Sequence, residues 1–96
     1  MEIKIQSVKF DADAKLIAFI EKKLSRVSKF SEDIISVDVT LTLLPDHSNK
    51  CAKVRIKVPG DEVIVEKHAD TFEDAITTCA DVAKEKLTRI KEKKNI

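Results

Sequence analysis

The side chains best suited to hold a metal or attack an electrophile are Cys51, Cys79, His47 and His68. A structural zinc site usually takes its ligands in tight pairs, because both members must reach one ion from a single turn or helix face. Neither cysteine lies in a CxxC or Cys/His ligand spacing, and no zinc site with recognisable spacing assembles from the four. His47 falls in a turn and His68 in a strand, with no evident nucleophile or carboxylate partner, so a catalytic constellation is missing. The single glycine, Gly60, cannot build a loop of amides that cradles phosphate. The expectation is a protein that is no enzyme, with no cofactor, no metal and no small-molecule substrate. Two cysteines are also too few for a disulfide scaffold of this size, and both read as reduced, apolar space-fillers.

The cations offer a different chemistry. Lys15, Lys22, Arg26 and Lys29 fall within about 60° of one another on a helical wheel, opposite Leu16, Ile20 and Val27. Lys50, Lys53, Arg55 and Lys57 follow one another with no acid between them, and residues 84 to 96 hold six cations against two acids. Acids gather elsewhere, mainly in residues 32 to 38 and 61 to 74. The 18 Lys/Arg and 17 Asp/Glu therefore leave a formal charge of +1 but a strongly dipolar surface, whose basic side could bind a polyanion. A solvated helix face is the plainer reading of any one ridge, and repetition in three places favours the polyanion. Along the last helix Glu85 and Arg89 stand i, i+4, so an ordinary helix-stabilising pair is an alternative role for Arg89. Phe19, between the apolar stripe and the basic ridge, has two open roles: stacking on a base or sugar, or lining the edge of the core.

The elements that carry these residues follow from hydrophobic period. Ile3 and Ile5 alternate in a strand over about residues 2 to 7, and Val8 and Phe10 lead into a bend. Asp13 can accept from amides of a first helical turn. Leu16, Ile20, Leu24 and Val27 then recur at helical spacing, which predicts a helix over about residues 14 to 30. Val37, Val39, Leu41 and Leu43 alternate with Asp38, Thr40 and Thr42 in a second strand, stopped by Pro45 and the turn formers up to Asn49. Ala52, Val54, Ile56 and Val58 alternate with Lys53, Arg55 and Lys57 in a third strand, which presents one apolar and one basic face. Pro59-Gly60-Asp61 turns the chain into a less regular fourth strand from residue 62 to about 69, with Ile64 facing away from Val63 and Val65. Asp70-Thr71 opens a second helix, with Glu73 or Asp74 placed for a capping box. Its stripe is Phe72, Ile76, Cys79, Ala83, Leu87 and Ile90.

The order is β-α-β-β-β-α. Two amphipathic helices and a sheet with one apolar face predict an α+β two-layer sandwich, a four-stranded sheet with both helices on one face. The first strand should join through a right-handed crossover. Ninety-six residues without a linker or composition break make one domain, residues 1–96. With 43% apolar and only 4% aromatic residues, its core is mainly Ile, Val, Leu and Ala. The longest apolar run, residues 16 to 20, is far short of a membrane span, and the N-terminus does not resemble a signal peptide. A soluble cytoplasmic protein is expected.

Read together, the opening strand, Phe10-Asp11-Ala12-Asp13 leading into Ile20-Glu21-Lys22-Lys23-Leu24, Ala52 to Gly60 with its strand and Pro-Gly turn, and Asp70-Thr71-Phe72-Glu73-Asp74-Ala75-Ile76 resemble the ribosome hibernation promoting factor family. This bacterial family is also called ribosome-associated inhibitor or sigma-54 modulation protein. The resemblance covers essentially the whole chain. It implies a domain shaped like a double-stranded RNA-binding domain that lodges in the small ribosomal subunit where tRNA and mRNA would sit, and silences translation under stress by steric exclusion. Carried over by position, it implies rRNA contacts from Lys22, Lys23, Arg26 and Lys29 on the first helix and Arg89 and Lys91 on the second. The charge pattern adds Lys53, Arg55, Lys57 and Lys86.

The chain departs from the family pattern at residues 82 to 86, where relatives tend to read Lys-Leu-Glu-(Lys/Arg)-Gln and this sequence reads Val82-Ala83-Lys84-Glu85-Lys86. Long members carry a C-terminal dimerisation domain; this sequence looks like a short form, expected to be a monomer that acts alone or with another hibernation factor. Two other functions fit the same charges. One is a protein-interaction module that modulates a transcription regulator, and the other is a generic double-stranded RNA-binding domain.

Overall fold

The computed structural model describes residues 2–30, 33–45 and 49–94. The elements are β1 (Glu2–Val8), α1 (Ala14–Val27) with a 3-10 turn at Ser28–Phe30, β2 (Ser36–Leu43), β3 (Lys50–Val58), β4 (Asp61–Ala69) and α2 (Phe72–Lys94). The strands form one sheet in the order β1-β2-β3-β4. β1 runs parallel to β2, as a crossover through α1 allows, and β2-β3 and β3-β4 are antiparallel. Both helices cover the same face, which is the expected two-layer α+β sandwich. No helix among the described residues is long and apolar enough to cross a membrane.

The core follows the two periodicities. Val37, Val39 and Leu41 of β2, Ala52, Val54, Ile56 and Val58 of β3, and Val63 and Val65 of β4 are buried beneath the helices. Ile20, Leu24 and Val27 come down from α1, and Phe72, Ala75, Ile76, Cys79, Ala80, Ala83 and Leu87 from α2. They form one continuous cluster. Each fully buried Ile or Leu contributes on the order of 1.5–3 kcal/mol through the area it withdraws from water. No polar or charged residue is buried among the described residues, so the core needs no internal polar network.

Local signals explain the boundaries. The Asp13 carboxylate accepts from the Leu16 amide at 2.8 Å and caps α1. At the start of α2 the Thr71 hydroxyl accepts from the Asp74 amide at 3.1 Å, the capping contact that the Thr71–Asp74 spacing allows. Helical geometry was expected to continue to residue 30, but α1 stops at Val27 and tightens into the 3-10 turn. Ser25 and Ser28 donate their hydroxyls to the carbonyls of Glu21 and Ser25 at 2.6 Å, a local competition that favours ending or bending a helix.

Gly60 has φ +76°, and with Pro59 before it the two-residue β3-β4 connection has the pattern of a type II turn. Lys9, in the bend after β1, also lies in the left-handed region at φ +69°. That bend lets Phe10 stack on Phe72 at the start of α2, with ring centroids 4.6 Å apart and planes 10° from parallel.

Candidate nucleic-acid interface

Because α1 buries Ile20, Leu24 and Val27, its opposite side must face solvent. Lys15, Lys22, Arg26 and Lys29 are all exposed there. None of these four makes an ion pair among the described residues, so their charge is available to an anion. Arg26 sits in the last turn of α1, where a cation also complements the helix dipole. Lys23 is different: it is half-buried and reaches over the Phe19 ring, with Nζ 5.5 Å from the centroid. Phe19 is half-buried against the core, so of its two open roles it occupies the core edge, with Lys23 over one face of its ring.

The cations of α2 are more engaged. Arg89 donates to Glu85 at 2.7 Å, which is the i, i+4 pair that the spacing allows. Both groups are well exposed, so the pair contributes only tenths of a kcal/mol. Lys86 leans over the edge of the sheet and donates to the Ile64 carbonyl at 3.4 Å. Lys91 is exposed near the end of the helix.

The third group, Lys53, Arg55 and Lys57, is exposed on the other side of the molecule, on the sheet face that carries no helices. Read across β1, β2, β3 and β4, this open face has rows Glu2, Ser36, Lys57, Glu62; then Lys4, Asp38, Arg55, Ile64; then Gln6, Thr40, Lys53, Glu66. Each of the three β3 cations on this face therefore has an acid opposite it on β2 or β4. Arg55 forms a charged hydrogen bond from Nε to Glu62 Oε1. A strand that is wholly basic on one side in sequence thus becomes part of a mixed-charge surface, because strand period sets a residue's face and not its cross-strand neighbour. The three basic groups do not converge on one face: the outer ridge of α1 and the β3 cations lie on opposite sides of the sandwich.

The thiols divide in the same way. Cys79 is fully buried on the inner side of α2 and donates to the Ala52 carbonyl at 3.4 Å. Burial pushes its pKa up to about 11, against smaller opposing effects led by the Lys67 charge. Cys51 is buried too, yet its place in β3 puts it on the open face, opposite His68. Its pKa is raised first by burial and then by the Glu66 carboxylate, partly offset by Lys53. Both cysteines are free; Cys79 fills space in the core as expected, whereas Cys51 lies outside the core cluster. His47 lies outside the described residues.

A cluster that spacing alone did not reveal is Cys51, Glu66 and His68, whose ligand atoms lie within 4.8 Å of one another. The residues are far apart in a motif sense. A signal for them was nevertheless present, since counting back from a two-residue Pro-Gly turn sets Cys51 opposite His68.

The family model described as Sigma 54 modulation protein / S30EA ribosomal protein matches residues 3–95. A curated relative, the Ribosome hibernation promotion factor of Deinococcus radiodurans, is 30% identical over 76 residues, which is 76% of this chain and 40% of the relative. The chain thus spans well under half of that relative's length. Two solved structures share the fold. The Thermus thermophilus Protein Y N-terminal domain has a TM-score of 0.84 at 23% identity and covers 94% of this chain and 99% of its own. A ribosomal subunit interface protein from Coxiella burnetii has a TM-score of 0.88 at 18% identity, over 96% of this chain and 99% of its own. With the matched segment running from the first strand through the last helix, this chain belongs to the sigma-54 modulation protein / S30EA ribosomal protein family.

Proposed function

We propose that the protein binds the small ribosomal subunit in the tRNA-mRNA channel and holds translation silent by occupying it. The observation that carries this reading is the α1 ridge: Lys22, Arg26 and Lys29 are exposed cations on a rigid helix with no ion pair among the described residues. The names of the relatives supply the ribosome as the partner class. Lys23 flanks the ridge from its position over Phe19. Lys86, Arg89 and Lys91 extend the basic surface along α2, while Lys53, Arg55 and Lys57 form a second surface on the open sheet, where the acids opposite them must be outcompeted. Contacts of this kind go to phosphates, so they set position and affinity with little sequence preference. The mode of action is steric occlusion and involves no bond making, and a second hibernation factor could share the ribosome. The site of action places the protein in the cytoplasm.

Co-sedimentation of the purified protein with small subunits, large subunits and whole ribosomes, over a salt series and with or without bound tRNA, tests this. Selective recovery with small subunits, lost as salt rises and displaced by tRNA, is expected. No binding at low salt by folded protein overturns the reading. Capture of a protein partner that survives high salt and nuclease would replace it with a protein-interaction role. Equal affinity for naked duplex RNA would make it a general duplex binder.

A further inference from the structure

The geometry points to a zinc site on the open face of the sheet, formed by Cys51 Sγ, His68 Nε2 and a Glu66 carboxylate oxygen. Cys51 and His68 are direct cross-strand partners on β3 and β4, and Glu66 precedes His68 by two residues, so all three side chains rise from the same face. Sγ lies 3.8 Å from Nε2, and Nε2 lies 3.6 Å from Glu66 Oε1. A tetrahedral zinc ion with ordinary bond lengths separates a sulfur and a nitrogen ligand by about 3.6 Å, and a nitrogen and an oxygen ligand by about 3.4 Å. These two edges are within a few tenths of an ångström of tetrahedral values; the third, from Sγ to the Glu66 oxygen, lies within 4.8 Å and closes to about 3.6 Å by rotation of the half-exposed Glu66 side chain.

The donor set argues for the metal. A thiolate with an imidazole favours a borderline-soft ion such as zinc over magnesium or calcium, which take oxygen ligands. The scaffold is a regular antiparallel hairpin with a two-residue turn, so the ligands are held by backbone pairing and little order is lost on binding. The side chains of Glu66 and His68 are about half exposed, which leaves the ion accessible from solvent and a fourth coordination position for water. On binding, the Cys51 thiol gives its proton to solvent and its sulfur lone pair to the ion, and no redox change is involved.

Cys79, fully buried and bonded to a backbone carbonyl, is a built-in control because it cannot reach the cluster without unfolding. The experiment uses tag-free protein, kept reduced by a non-thiol reductant and stripped of metal, titrated with Zn²⁺ against a chromophoric chelator and, separately, with Co²⁺. One equivalent of Zn²⁺ should bind, and the Co²⁺ form should show a thiolate-to-metal charge-transfer band. Cys51→Ser and His68→Ala should each weaken Zn²⁺ binding at least about a hundredfold, beyond the loss expected for an outer partner of a ligand. Cys79→Ala should keep the stoichiometry and the band. His68 is exposed, so its variant remains informative should Cys51→Ser fail to fold. Absence of stoichiometric binding to the wild type, a Co²⁺ spectrum without the charge-transfer band, or full binding by His68→Ala overturns the site.

Discussion

Glu62 holds Arg55 diagonally across the β3-β4 hairpin, carboxylate to guanidinium, so the arginine of the open sheet face is already paired within the fold. Arg26 on α1 has no such partner among the described residues. An RNA phosphate must displace a carboxylate to reach Arg55 but only water to reach Arg26. The two basic surfaces should therefore contribute unequally to ribosome binding.

This leads to a first prediction. Replacing Lys22, Arg26 and Lys29 together with Ala should weaken small-subunit binding strongly and flatten the log-log salt dependence by roughly two to three, close to one per lost phosphate contact. Arg55→Ala alone should have a smaller effect on both. Co-sedimentation across a salt series measures each. A neutral triple variant beside a disabling Arg55→Ala would move the interface to the sheet.

Gly60→Ala should destabilise the fold by about 1–2 kcal/mol, the cost of placing an L-residue in the left-handed region. A Cβ built at Gly60 meets nothing within 4 Å, so this cost is conformational rather than a clash. Urea denaturation of both proteins should show a lower midpoint at unchanged slope for the variant.

A third expectation concerns pH. The buried Cys79 thiol has a folded pKa of about 11 against an ordinary value of 9.0, so above 9.0 the unfolded chain loses this proton more readily than the folded one. The folded state then binds more protons, and stability falls with pH between about 9 and 11, by up to roughly 2–3 kcal/mol from this group. Below that window the thiol is protonated in both states and has no effect. Chemical denaturation at pH 8, 9 and 10, on the order of half the window, should show a shallower decline for Cys79→Ala than for the wild type.

The fourth separates the two faces of the sandwich. Ile76 on α2 is fully buried, whereas Ile64 on β4 is 46% exposed on the open face. Ile76→Ala should cost about 2–5 kcal/mol by leaving a cavity beneath α2. Ile64→Thr keeps a β-branched side chain on a solvated face and should stay within about 0.5 kcal/mol. Thermal and urea unfolding of the two variants provide the comparison.

Much of the fold was legible because each element depends on local patterning. Alternation of Val37, Val39 and Leu41 specifies a strand and its buried face, and Leu16, Ile20, Leu24 and Val27 specify a helix and its inner side. The lone glycine after Pro59 marks the tight hairpin, and Asp13 and Thr71 mark the helix starts. The end of α1 was less legible, since serine back-bonding at Ser25 and Ser28 competes with a hydrophobic period that runs on past Val27. Family membership was readable as well, because its motifs lie in order along nearly the whole chain.

The candidate site was legible one element at a time. That Lys22, Arg26 and Lys29 share the outer side of α1 follows from 3.6 residues per turn, and the structure keeps all three exposed. What Lys53, Arg55 and Lys57 would face does not follow from their own strand, because Asp38, Glu62 and Glu66 come from β2 and β4 and meet them only through the register. Thus the sequence alone determined the element order, the buried face of each element and the basic ridge of α1, all consequences of short-range period and steric preference. Tertiary structure decided that the helix and sheet cations lie on opposite faces, that Glu62 holds Arg55, and that Cys51, Glu66 and His68 meet. Those relationships depend on strand pairing between residues distant in the chain, where a shift of one position would send every side chain to the other face.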